Sequence, residues 1–435
     1  MKGILRLRQW RVFELLIAVV ALLALVLAGC GGAADEGESD GEAGGDAELQ
    51  SGPGFDGSTI KLGVLTPLSG PVAVIGQPLT AGNQVYFDYV NSQGGIAGKY
   101  QVELVQEDTQ YLPPRTVQQY NKIKNDVVAF TQVLGTAPTL AVLPQLAQDN
   151  VIAAPASLDA FWVREPNLLP VGGPYQVQAI NALDYYINEG DGEGKNICSF
   201  IQDDAYGEAG QSGVEYAAEN LGFEVADTQT FKVGDKDVTG QVQRLQRSEC
   251  DAVFLVATPT DAGTIWGTAA KLGFAPRWIG QSPSWIDELG ASPLAEYLQQ
   301  TTWIVAEGTE WGDDSVPGSA DLVSRVDEFK PDQDPDYYFS FGYLQGVAMT
   351  ALLEKAVELG DLSREGLMRA SEELGTVSFD GLSGDYQYGP AEERNPSRMS
   401  TIYEVDPEKP FGLGTLEYQY ESEAAQSYEF EKADL

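Results

Sequence analysis

The chain contains no histidine among its 435 residues, and that absence removes a large class of chemistry. Histidine is the usual general base near neutral pH, the partner in Ser–His and Cys–His nucleophile pairs, and the commonest metal ligand. Cysteine and methionine are scarce as well, at three and four residues. No G-x-S-x-G elbow and no G-x-x-x-x-G-K-[ST] loop occurs, and Gly190-Asp191-Gly192-Glu193-Gly194 has the wrong spacing for a dinucleotide loop. A calcium-like start at Asp235-Lys236-Asp237-Val238-Thr239-Gly240 also fails. Thr239 replaces an oxygen-rich ligand, and Gln246 stands where a bidentate Glu is needed. Asp237 reads instead as the N-cap of a helix over Val238–Arg247. Positive charge is short too: 26 Lys and Arg stand against 65 Asp and Glu, a net charge of −39. That balance excludes binding to nucleic acid or to an anionic membrane surface through charge. An enzyme is not expected, nor a cofactor or metal.

What is present begins with a leader. Lys2, Arg6, Arg8 and Arg11 precede an apolar run from Leu15 to Ala28 with small residues at its end, the pattern of a secretory signal peptide. Leu27-Ala28-Gly29-Cys30 looks like a bacterial lipobox, a resemblance that implies lipidation of Cys30 as the first mature residue. Residues 1–29 are therefore expected to be removed. From residue 30 to 58 the composition is Gly, Ala, Ser, Asp and Glu, without Lys or Arg, and reads as a disordered acidic tether. Such a protein sits outside the cytoplasm, anchored at the outer face of the membrane by lipid. Cys198 and Cys250 then share an oxidising space, where they form either a disulfide or two separate buried thiols.

The remaining chain, 43% hydrophobic overall, has enough apolar residues for large cores in roughly two to three domains. From Thr59 short apolar strands alternate with helices. Strands are expected at Ile60–Leu65, Tyr100–Glu107, Val151–Ala154, Asn196–Ile201, Phe223–Gln229, Ala252–Val256, Arg277–Gly280 and Trp303–Ala306. Helices are expected at Leu79–Asn91, Pro113–Lys124, Val177–Ile187, Gly207–Asn220, Ala262–Leu272, Tyr337–Leu359 and Ser363–Leu374, with tail strands near Gly384–Tyr388 and Ser400–Val405. This alternation predicts parallel sheets covered by helices, an α/β fold of two doubly wound, Rossmann-like lobes. The most informative stretch is Val127–Ser157. It reads as a strand, a small-residue loop at Gly135-Thr136-Ala137-Pro138-Thr139, a helix and a second strand. At the carboxyl edge of a parallel sheet such a loop faces ligand, and its backbone N–H groups and hydroxyls suit a carboxylate.

A series of short motifs occurs in order: Ile60-Lys61-Leu62-Gly63-Val64, Leu68-Ser69-Gly70-Pro71, Asn91-Ser92-Gln93-Gly94-Gly95-Ile96 and Leu134–Thr139. Val151–Ala156, Asp203-Asp204-Ala205-Tyr206-Gly207 and Phe379-Asp380-Gly381-Leu382-Ser383-Gly384 complete it. The ordered set, over about residues 59–410, resembles the type I periplasmic substrate-binding proteins of ABC transporters, in the branch that binds branched-chain amino acids (Leu/Ile/Val). The resemblance implies two lobes, 59–173 plus 309–376 and 174–308 plus 377–435. It also implies a hinge of three crossovers near Gly172–Tyr175, Glu307–Gly312 and Thr376–Leu382. Ligand contacts are implied at Thr136, Ala137, Pro138 and Thr139, at Ala156, Ser157 and Leu158, and at Tyr206, Thr258, Pro259, Ser282 and Trp285. Ser282 stands where such proteins often place an acid for the ligand's α-amino group, and Ile75 where an aromatic often lines the pocket. Glu307, Asp203 or Asp204 would have to supply the anion, and Trp162, Trp285 and Trp311 would suit a flat ligand.

The expectation is an extracytoplasmic, lipid-anchored, monomeric receptor that hands a small polar ligand (amino acid, amide or small carboxylate) to the permease subunits of an ABC importer. The alternative is a ligand-binding sensor feeding a membrane receptor.

Overall fold

In the computed structural model of this chain the described residues are 49–432. The leader, Cys30 and the first part of the expected tether lie outside them. A short β1 (Gln50–Ser51) precedes β2 (Thr59–Thr66), β3 (Gln101–Asp108), β4 (Ala129–Leu134) and β5 (Ala153–Ala156). A second series follows with β6 (Ile197–Gln202), β7 (Val225–Phe231), β8 (Ala252–Val256), β9 (Arg277–Gln281) and β10 (Thr302–Ala306). The minor strands β11 (Asp361–Leu362), β12 (Thr376–Val377) and β13 (Tyr386–Gln387) lead to β14 (Ser400–Val405) and β15 (Leu413–Tyr420). Central strands such as β4 and β8 (AVFLV) are buried at every position, as expected where helices cover both faces of a parallel sheet.

The first sheet runs β3-β2-β4-β5, all parallel. The second runs β15-β14-β10-β9-β8-β6-β7; it is parallel from β7 to β10, with β14 and β15 antiparallel at one edge. Strand order reverses between β2 and β4 in one sheet and between β6 and β8 in the other, and such switch points open a crevice at the carboxyl ends of the strands. The chain crosses between the two layers three times: after β5, after β10, and between the helix Arg364–Glu372 and β14. The fold is the two-lobed, doubly wound α/β architecture anticipated from the alternation.

In the first lobe the helix Tyr337–Glu358 lies along the helix Ala73–Ser92 at very short range. A Cβ on Gly342 would fall 1.8 Å from the Leu79 carbonyl oxygen, and one on Gly82 would fall 2.0 Å from that of Phe339. Those two glycines let the backbones touch. Asn83, inside this contact, donates to Gln345, whose amide donates in turn to the Pro155 carbonyl at the end of β5. A polar chain thus links the helix pair to the sheet.

Several expectations need correction. The tether does not extend to residue 58: β1 pairs in parallel with β11, and Phe55 packs edge-on against Tyr100 at 5.1 Å. Leu49 and Phe55 give this segment an apolar grip that its acidic composition conceals. The helix expected from Leu79 begins at Ala73, because Pro78 forfeits only one backbone bond near the helix start. Asp237 is not the N-cap residue. Val238 holds that position, and the Asp237 carboxylate accepts from the Thr239 amide. The helix Pro317–Phe329 and strand β15 were not anticipated.

Cys198 in β6 and Cys250, two residues before β8, are joined by a disulfide across these neighbouring strands. The bond closes a separation of 52 residues. By loop entropy that is worth about 4 kcal/mol. The Cys198→Ala/Cys250→Ala double variant is therefore expected to lose about 2–4 kcal/mol in equilibrium denaturant unfolding. An unchanged midpoint would contradict this.

Candidate functional site

The first segments after β2, β4, β6 and β8 converge on one cavity. Val72, Ile75 and Leu79 follow β2, Thr136 follows β4, Tyr206 follows β6 and Thr258 follows β8, so both switch points contribute walls. The cavity has a volume of about 50 Å³ in this arrangement of the lobes, room for a small group only. Across its mouth the Thr260 hydroxyl of the second lobe donates to the Pro71 carbonyl of the first at 3.1 Å.

Gly135 sets the geometry of the first-lobe wall. Its φ of 104° lies where a Cβ is strained, and that Cβ would also fall 2.5 Å from the Tyr111 ring. The expected loop Gly135–Thr139 is consequently one residue long: Gly135 is the N-cap, and the helix Thr136–Asp149 starts at once. Pro138 fits inside the first turn because amides there lack intrahelical partners anyway. The first turn carries no acidic residue, so its free amides and positive dipole end are available to an anion. At the same place the Thr136 hydroxyl is buried without a hydrogen-bond partner. On the other lobe Tyr206 opens the helix Ala205–Leu221, capped by Asp204, which accepts from the Tyr206 and Gly207 amides. Its ring packs 5.0 Å from that of Tyr175, and its hydroxyl, too, is buried without a partner. Buried polar atoms are nearly always paired, so two orphans in one cavity wall point to a missing acceptor.

Several other polar groups in the lining are engaged within the protein. Ser157 accepts from the Trp162 indole at 3.0 Å, and Thr258 donates to Asp261 at 3.1 Å. Glu307, immediately after β10, is 4% exposed; its Oε1 accepts from the Tyr337 hydroxyl at 2.6 Å and its Oε2 from the Gln178 amide at 2.7 Å. Burial pushes its carboxyl up to about 7, against the pull of the Tyr337 hydrogen bond. Among the lining residues Glu307 is the sole acid, and no Lys or Arg lies among them. The rest of the lining is apolar or aromatic: Val72, Ile75, Leu79, Leu134, Leu158, Pro283 and Phe341 with Tyr111, Tyr175 and Tyr338.

Of the residues expected at the site, Thr136, Ala156, Ser157, Leu158, Tyr206, Thr258, Ser282 and Glu307 line the cavity. Ala137, Pro138, Thr139, Pro259 and Trp285 do not. The Thr139 hydroxyl turns inward to the Val133 carbonyl, and Pro259 is the buried first residue of its helix. Trp285 packs against Trp266 and donates to the Phe411 carbonyl at 2.7 Å, which makes it part of the core. Trp162 is buried beneath Ser157, and Asp203 and Asp204 lie outside the lining. Tyr111, Tyr175, Tyr337, Tyr338 and Phe341 were missed; aromatics near a helix start carry no local mark of facing a cleft.

The model of the periplasmic binding protein family matches residues 59–410. The chain belongs to that family. As such a binding protein it is 24% identical over 345 residues to the leucine-, isoleucine-, valine-, threonine- and alanine-binding protein of Pseudomonas aeruginosa, covering 74% of this chain and 86% of that one. It superposes with a TM-score of 0.83 on the fatty acid ABC transporter substrate-binding protein from Thermomonospora curvata, at 28% identity over 88% of this chain and 98% of that chain. A branched-chain amino acid ABC transporter protein from Thermus thermophilus with bound valine shares the fold, at a TM-score of 0.73 and 17% identity over 86% and 98% of the chains. Among the described residues of this binding protein no helix is long and apolar enough to cross a membrane.

The raised Glu307 carboxyl has a direct consequence for stability. The unfolded chain ionises near 4.5 and the folded one near 7, so folding loses stability as pH rises through that window. Glu307→Gln is expected to leave the unfolding free energy of the ligand-free protein almost unchanged near pH 5 and to raise it by about 1–3 kcal/mol at pH 8. Equal effects at both values would show that Glu307 does not titrate in this window.

Proposed function

We propose that this protein is the solute-binding component of an ABC importer and that its ligand is a small monocarboxylate with an apolar body. The observation that carries the reading is the pair of orphaned hydroxyls, Thr136 on one lobe and Tyr206 on the other, beside the open first turn of the helix Thr136–Asp149. A carboxylate accepts from both hydroxyls and from the turn's amides, and charge-assisted bonds of this kind are the stronger class. The aliphatic and aromatic remainder of the cavity suits an apolar body rather than the small polar ligand expected from sequence. Related proteins named for fatty acids and for aliphatic amino acids share this combination of a carboxylate head on an apolar body. The signal and lipobox pattern support a receptor outside the cytoplasm with a lipid anchor on Cys30 and a short acidic tether.

A second reading, an aliphatic amino acid, is favoured by Glu307, whose carboxyl faces the cavity and would pair with a ligand ammonium. The two readings differ in their response to pH. An ammonium needs Glu307 ionised, so a zwitterion binds more weakly at pH 6 than at pH 8. A plain carboxylate gains nothing from that ionisation and binds at least as well at pH 6. Titration calorimetry with isobutyrate and with valine at both values separates them. Tighter binding of valine, weakening at pH 6, would overturn the monocarboxylate reading.

Two sets of variants test the site and the anchor. Thr136→Val and Tyr206→Phe are each expected to weaken carboxylate binding by about tenfold to a hundredfold, the worth of one hydrogen bond to a charged group. Wild-type affinity in both would mean that the head group lies elsewhere. Cys30→Ser is expected to move the protein from the membrane fraction to the soluble fraction; unchanged fractionation would overturn the lipobox reading.

A further inference from the structure

Tyr111 lines the cavity from the turn that follows β3, on a backbone that is costly to hold. Gln110 and Tyr111 take left-handed φ values of 55° and 62° in succession. For residues with a side chain such a conformation costs on the order of 1–3 kcal/mol each, and it persists only where neighbours enforce it. The neighbours here do so. Asp108, the last residue of β3, accepts through one carboxylate oxygen from the Leu68 and Gln110 amides at 3.0 Å each, and through the other from the Ser69 hydroxyl at 2.7 Å. Arg115 donates to the Asp108 carbonyl at 2.7 Å and to the Gln110 side chain at 2.9 Å. The Tyr111 amide donates to Thr109 Oγ1 at 3.3 Å. The loop after β2, the turn itself and the start of the helix Pro113–Ile123 thus brace one strained pair of residues.

What the bracing fixes is the position of a ring. The Tyr111 ring edge lies 2.5 Å from where a Cβ on Gly135 would stand, so it covers the N-cap of the helix whose open first turn carries Thr136. From there the side chain reaches Gln202 and Asp204, at the end of β6 on the second lobe. The ring therefore spans the seam between the lobes, beside the two orphaned hydroxyls. With a cavity of about 50 Å³, any group next to the ligand head has to fit against this ring.

We propose that Tyr111 is a specificity-determining residue that sets the size limit beside the carboxylate: the site admits a small aliphatic group next to the head and rejects an aromatic one. This limit rests on the carboxylate reading above and narrows it to the shape of the ligand at its head. The strained turn then has a purpose, because a freely mobile tyrosine would give way to a larger group. Removing the ring leaves a hole of its own shape, bordered by the apolar and aromatic lining, which a ligand ring refills.

Titration calorimetry on the mature protein with isobutyrate and phenylacetate tests this. The wild type is expected to bind isobutyrate about tenfold or more tightly than phenylacetate, and Tyr111→Phe, which keeps the ring, to retain that order. Tyr111→Ala is expected to reverse it, with phenylacetate gaining about tenfold or more and isobutyrate losing about tenfold. A purely structural role for the ring would weaken both acids alike and leave their order unchanged. Tyr111→Gly opens the same space on a backbone that suits glycine, and serves if the alanine variant fails to fold. An unreversed preference in a folded ring-deleted variant, or phenylacetate bound as tightly as isobutyrate by the wild type, would overturn the size limit and leave the carboxylate reading standing. Binding of neither acid by the wild type or by any of the variants would overturn both.

Discussion

The buried carboxyl of Glu307 is the contact on which the arrangement of this site depends. It lies at the end of β10, where the chain leaves the second lobe. One oxygen is held by Tyr337 at the start of a first-lobe helix, and the other by Gln178 on the helix that follows the first crossing. Two other parts of the chain, 129 and 30 residues away from Glu307 in sequence, meet at this one group. Burying a carboxyl without a cation is costly, which is why its ionisation is pushed toward neutral pH. Its two hydrogen-bond donors make that burial tolerable. In this position the group closes one side of the hydroxyl-bearing cavity.

The two orphaned hydroxyls belong to different lobes, and that division matters for motion. Thr136 is fixed to the first sheet through Gly135 and β4; Tyr206 is fixed to the second through Asp204 and β6. An anion that accepts from both is bound fully only when the lobes are together, so binding and closure share one free energy. Direct contact across the mouth, the Thr260 hydroxyl on the Pro71 carbonyl, is exposed and worth little alone. The ligand, rather than the rim, is then the main adhesive between lobes.

Much of this fold was legible because parallel strands buried on both faces are continuous apolar runs, and helices between them end at glycines such as Gly222 and Gly273, both left-handed. Strand β15 (LGTLEYQY) escaped notice because an antiparallel edge strand is half exposed and mixes Glu, Gln and Thr into its pattern. The tether boundary was misplaced because pairing between β1 and β11 is set more than 300 positions away in sequence, at Asp361 and Leu362. At the site, residues at the carboxyl ends of strands were readable since topology alone brings them to the crevice. Trp285 was not, because a tryptophan one turn past a strand end can point either into the cleft or down into the core. Only its hydrogen bond to the Phe411 carbonyl decides which.

Glu307 also bears on what this site can discriminate. A group that ionises near neutral pH is able to present either form at low cost, an anion to a ligand ammonium or a neutral acid to an uncharged chain. In either proposed complex a carboxylate head would meet the same hydroxyls and helix terminus. Under that proposal, selectivity would fall on what stands beside Glu307, a charge or a chain. With Ser282 bringing no second acid into the lining, nothing else there compensates an ammonium. A neutral Glu307, bonded to Tyr337 and Gln178, leaves a wall that an apolar chain can lie against without stranding a charge, and it is this form that burial favours.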